Sequence, residues 1–191
     1  MKSVKNTTSA IVFTGLVLSF WNLASLAQHT QPEPVGMLWV AGAAQLRQLG
    51  TRDGALLAAL STGGAQDVAV DAERRRVWLY AEGNLSAYDF DGEPIWTVPV
   101  GVPPAAARIA IVDQDGSLWL AVGQRLLHFG SAGQRLNELT LAAAVRALRH
   151  DSERELLWMA TPSAVTAYDA LSGFEVRSWT TGRHRRWTEP L

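Results

Sequence analysis

The chain has 191 residues, 48% hydrophobic and 18% charged, with 17 Lys and Arg against 18 Asp and Glu and no cysteine. That composition suits a packed core and excludes a disordered chain. The lack of thiols excludes disulfides, lipid attachment through an N-terminal cysteine and cysteine-built metal sites. A formal charge of −1 with no sustained basic stripe supplies no counterion-release term, so no nucleic-acid partner is expected.

Residues 1–27 read as a secretory signal of helical form. Lys2 and Lys5 make a positive start, Ala10 to Trp21 an apolar run, and Ser25-Leu26-Ala27 a small-x-small cleavage site before Gln28. The expected location is secreted or periplasmic, after cleavage behind Ala27. The rival reading is an uncleaved anchor in the inner membrane, since Ala10 to Ala27 is near the lower limit for a span, although Asn22 and two serines interrupt it. Only the uncleaved form implies a membrane partner. Without residues 1–27 the charge becomes −3, from 15 basic and 18 acidic residues.

Residues 28–35 (QHTQPEPV) form a polar, proline-bearing linker. Four copies of one phrase follow, each an apolar strand carrying a tryptophan between shorter strands. The tryptophans are Trp39, Trp78, Trp119 and Trp158, spaced by 39, 41 and 39 residues, a period that marks a repeat architecture. The copies are expected at about 36–63, 64–103, 104–142 and 143–182, with 183–191 an irregular basic tail.

The first copy opens at Met37 to Ala41, continues at Gln45 to Leu49 and closes at Ala55 to Leu60, an alanine-rich run that could also form a short helix. The second has strands at Asp67 to Val70, Val77 to Tyr80, Leu85 to Asp89 and Ile95 to Val100, with a hairpin signal at Asp91-Gly92. The third places them at Arg108 to Val112, Leu118 to Val122, Arg125 to Phe129 and Arg135 to Leu141. The fourth has Val145 to Leu148, Leu156 to Ala160, Ala164 to Asp169 and Phe174 to Trp179. Val77-Trp78-Leu79-Tyr80 is apolar on both faces, so its sheet needs cover on two sides.

Four short antiparallel strands per repeat, stacked face to face, predict an all-β fold of four β-propeller blades of about 40 residues, a partial or small propeller. The pattern x-V-A-V-D…V-W-L-Y…L-S-A-Y-D-x-D-G resembles bacterial propeller repeats of the NHL, YVTN and quinoprotein-like kind, over about Gly36 to Trp179. The tryptophan-docking signature of the quinoprotein class and the histidine-tryptophan-aspartate network of the WD class are not evident, so the resemblance implies architecture and no ligand.

The candidate chemistry is sparse. Of four histidines, His29 lies in the linker and His184 in the tail, while His128 and His150 belong to strands; no two stand at metal-ligand spacing. Asp71, Asp113 and Asp151 follow the inner strand of their repeats. They could ring one mouth and hold a cation, as the carboxylates of gluconolactonase-like propellers do, but capping of the turn is the simpler role. Asp89-Phe90-Asp91-Gly92 and Asp113-Gln114-Asp115-Gly116 open like calcium loops, lack the later ligands, and read as hairpin turns. No nucleophile elbow, phosphate loop or dinucleotide fingerprint occurs, so no catalytic, cofactor-binding or metal-binding residue is assigned and no cofactor is expected.

The expected function is therefore an exported, non-enzymatic propeller module that binds or scaffolds an unknown protein or surface ligand. A metal-dependent lactonase or hydrolase built on the aspartates is the alternative, and a truncated N-terminal part of a large surface repeat protein is a third. The first repeat lacks a leading strand, and Arg183-His184-Arg185-Arg186 is a poor candidate to supply it. Open blades expose edges and apolar faces, so self-association is expected.

Overall fold

A computed structural model describes residues 10–13, 16–20, 36–42, 44–102 and 105–180. Among these the chain is all β, in four antiparallel sheets. The second sheet contains β6 (Ala65–Asp71), β7 (Arg76–Ala81), β8 (Asn84–Asp89) and β9 (Pro94–Pro99). The third contains β10 (Ala107–Ile111), β11 (Leu118–Val122), β12 (Arg125–Phe129) and β13 (Arg135–Thr140). The fourth contains β14 (Ala147–Asp151), β15 (Leu156–Ala160), β16 (Ala164–Asp169) and β17 (Glu175–Thr180). In each, strands neighbour in chain order, as hairpin connection requires.

The first sheet has five strands. β3 (Met37–Ala41), β4 (Gln45–Gly50) and β5 (Leu56–Ser61) match its repeat, so the alanine-rich run is a strand and not a helix. β1 (Ala10–Phe13) and β2 (Leu16–Phe20) join them, and β2 pairs with β3 through Ser19↔Trp39 and Phe20↔Leu38. The leading strand missing from the first repeat is thus supplied from upstream. These nine residues belong to the segment expected to be a helical signal; where they are described, they are strand. The rest of residues 1–27, the linker 28–35 and the tail 183–191 lie outside the described residues.

The tryptophan strands explain why the sheets stack. Val77, Trp78, Leu79 and Tyr80 are all buried, and so is every residue of β11. Successive side chains alternate faces, so such a strand feeds two cores at once. Trp39, Ala41 and Leu46 of the first sheet pack on Val68, Val77 and Leu79 of the second. Trp78, Leu85 and Ala87 then meet Ile109, Leu118 and Leu120 of the third. Trp119, Ala121 and Leu126 meet Leu148, Leu157 and Met159 of the fourth. The stacking has one sense throughout: the tryptophan face of each sheet lies on the opposite face of the next. The leading strands lie side by side, β2 and β3 against β6, β6 against β10, and β10 against β14.

The turns after β6, β10 and β14 are equivalent, and their backbone shows it. Arg75 (φ 52°), Gly116 (φ 69°) and Glu155 (φ 54°) each take a left-handed conformation four residues after Asp71, Val112 and Asp151. A left-handed residue in this place lets the hairpin match the strand twist.

Candidate functional site

The sequence brings its repeated carboxylates to the end of the leading strands, where these turns lie. Asp71 is buried there. Its Oδ1 accepts the Arg74 backbone N–H at 3.0 Å and its Oδ2 the Arg74 guanidinium at 3.4 Å. Asp151 does the same in the fourth sheet, accepting the backbone N–H groups of Glu153 and Arg154 at 3.2 Å and the Arg154 guanidinium at 3.0 Å. The Arg154 bonds hold the Asp151 carboxyl below the usual carboxylate range. These are turn caps.

Asp113 breaks the expected equivalence. Strand pairing aligns Asp71 (opposite Arg76) and Asp151 (opposite Leu156) with Val112, whose N–H donates to Ser117 O at 2.8 Å. Asp113 is therefore one residue further on, in the turn itself, with an exposed side chain. Its neighbour Asp115 caps that turn by accepting the Ser117 N–H at 2.8 Å. Asp89 likewise accepts the Asp91 and Glu93 N–H groups at 2.9 and 2.8 Å, so both calcium-like stretches are hairpin turns. Among the described residues no group of three or more His, Cys, Asp or Glu is arranged to hold a metal ion.

Two histidines are used differently, and His29 and His184 fall outside the described residues. His128 is buried in β12, directly across from Trp119, with the rings stacked 4.2 Å apart at 8°. Its Nε2 lies 2.9 Å from Ser117 Oγ, itself buried. Burial pushes the imidazole below its ordinary pKa, against the opposing charge of Asp115. The sequence carried no sign of this pairing, because Ser117 and His128 are 11 residues apart in one repeat alone.

His150, at the end of β14, is a bridge between two sheets. Its side chain is 4% exposed; Nδ1 lies 3.9 Å from Asp113 Oδ2 and Nε2 lies 3.4 Å from Glu155 Oε2. The carboxylates face different ring nitrogens, so they do not converge on one ion. His150 Nε2 and Glu155 Oε2 are both buried without a hydrogen-bond partner.

At the other end of the leading strands lies a group the sequence did not single out. Asp67 is 6% exposed, and its Oδ2 accepts the Ile109 N–H at 2.6 Å, tying β6 to β10. Burial raises its pKa to about 6, while the Ile109 bond and the charges of Arg108 and Arg149 pull the other way. The arrangement can gain or lose a proton near neutrality.

No family model matches the chain, and no curated protein does. Solved structures do. The chain is similar to the Neurospora crassa Pan2 WD40 domain (15% identity, TM-score 0.62) and to Kuenenia stuttgartiensis hydrazine synthase (13% identity, TM-score 0.64). The four sheets are β-propeller blades. Each match covers 75% of this chain and 46% of the other, so the chain spans less than half the length of these neighbours. At such identities the likeness extends to the blades and their stacking.

Proposed function

We propose that the chain is an exported, non-enzymatic β-propeller module that binds or scaffolds a protein or surface ligand at the cell envelope. The observation that carries this reading is the fate of the repeated carboxylates. Asp71, Asp89, Asp151 and Asp169 each spend an oxygen on backbone N–H groups of their own turn. They serve the blades and not a reacting centre. A cation ring would need three carboxylates in register, and Asp113 stands one position out of it. Export is supported by Lys2, Lys5, the apolar run and Ser25-Leu26-Ala27.

Two assays test the functional reading. Purified protein should leave lactones and esters unhydrolysed, and calcium should not shift its melting temperature. Hydrolysis abolished by Asp71→Asn or Asp151→Asn, or a melting temperature raised by calcium, would replace the module with the metal-dependent hydrolase.

A further inference from the structure

Among the described residues, one face of blade one and one face of blade four meet no neighbouring sheet, and the two faces are complementary. In blade four the tryptophan face carries Trp158, Val165, Ala167 and Trp179, with the two indole rings stacked at 5.6 Å. By register, Val165 and Trp179 match Leu85 and Val98 of blade two and Leu126 and Leu139 of blade three. All four of those residues belong to the cores between blades. Trp179 instead is 43% exposed. In blade one the opposite face carries Leu38, Val40 and Leu49, each half-buried. Their counterparts Val77 and Leu79 in blade two, and Leu118, Leu120 and Phe129 in blade three, are buried against the preceding blade.

We propose that blade four of one chain stacks on blade one of a second copy, and reciprocally, closing an eight-blade ring as a two-fold dimer. Two observations select this occupant. The face on offer continues an interface already made three times within the chain, always in the same sense. Its polar fittings are also in place. Arg74 is held by Asp71 so that its guanidinium reaches the Asp113 and Gln114 carbonyls of the next blade at 3.2 and 3.3 Å. Arg154 is held in the same way by Asp151 at the open face, with its side chain 66% exposed. A head-to-tail contact either closes or propagates, and two reciprocal contacts within one pair of chains close it. Arg47 stands on the blade-one face where Ser86, Leu127 and Thr166 are buried in the other blades, so the contact must carry its guanidinium to the rim.

Sedimentation equilibrium of the full chain tests this, with Trp179→Glu and Leu49→Glu as face-specific variants. The expected result is a wild-type species of twice the 20.7 kDa chain mass, two monomeric variants, and a dimer when the variants are mixed. Mixing restores association because one contact between two unaltered faces survives in the pair. Leu56→Glu, at a more open place on the same face of blade one, repeats the test should Leu49→Glu unfold. A monomeric wild type overturns the proposal, as does a mixture that stays monomeric at every concentration. So does loss of the dimer in Trp179→Glu alone, which would mean tryptophan faces pairing with each other, and so does a ladder of longer polymers.

Discussion

Gly173 sits against the edge of Trp119, the buried indole of the neighbouring blade: a Cβ added to it would meet Trp119 Cη2 at 2.7 Å. The same glycine turns the β16–β17 hairpin with φ at 73°. One position therefore serves a turn and a blade contact together. Gly173→Ala is expected to cost about 2–4 kcal/mol, the left-handed penalty plus the displacement of a packed ring. Gly54, with φ 69° and nothing within 4 Å, carries only the first part. Gly54→Ala should cost about 1 kcal/mol, and urea unfolding of the two variants separates the effects.

Trp119 also donates its Nε1–H to Ala170 O at 2.7 Å, across the same blade boundary. Trp119→Phe keeps an aromatic body over His128 but leaves that buried carbonyl unpaired. A loss of about 1–3 kcal/mol is expected by chemical unfolding.

Asp67 and His128 set opposite pH slopes. Asp67 is raised to about 6 from 3.8, so the folded state holds the extra proton between those values and stability falls as pH rises through that window. The loss amounts to about 2–3 kcal/mol and is complete above the folded pKa. Asp67→Asn retains an acceptor for Ile109 N–H and should raise the unfolding midpoint at pH 7. It should also abolish the gain otherwise seen on acidification from pH 6 to pH 4. His128 is shifted down, so the unfolded chain binds the proton first and stability drops as pH falls below about 6.5. In Asp67→Asn that second slope should remain between about pH 6.5 and about pH 4, above the range in which Asp151 and Asp169, both held below the usual carboxylate range, lose their own stabilisation.

Arg74 and Arg154 form a matched pair for measuring the blade contact. Arg74→Met removes two bonds to the next blade and should cost about 1 kcal/mol or more, whereas Arg154→Met in a chain kept monomeric by Trp179→Glu should cost a few tenths. A double-mutant cycle of Arg154→Met with Trp179→Glu reads whether Arg154 acts through the open face.

Much of the architecture was legible because Trp39, Trp78 and Trp119 are each locked between two stacked sheets and Trp158 holds the same register position in the fourth, which forces a constant spacing. The strands of the third and fourth repeats at Leu118 to Val122, Arg125 to Phe129, Leu156 to Ala160 and Ala164 to Asp169 have the residues expected of them. Hairpins with strong turn signals leave little freedom in register. The innermost strand of blade one was not legible, because Leu16 to Phe20 reads equally as the apolar heart of a signal. Asp113 misled for a local reason: its repeat has Val112 at the place of Asp71 and Asp151, and spacing alone does not show which residue closes a strand. Asp67 is not legible in the sequence, because a single aspartate before an apolar run carries no mark of burial. Only the close passage of β10 reveals it.

On the proposal that the chain is exported, the pairing of Leu16–Phe20 with Met37–Ala41 sets an order of events. A targeting receptor would have to take that apolar stretch before β2 pairs with β3. If the pairing came first, the protein would stay where it was made. If the receptor came first, cutting behind Ala27 would remove β1 and β2 and leave β3 as a bare edge. The intact mass of protein taken from the envelope and from the cell interior would show which fate each population met.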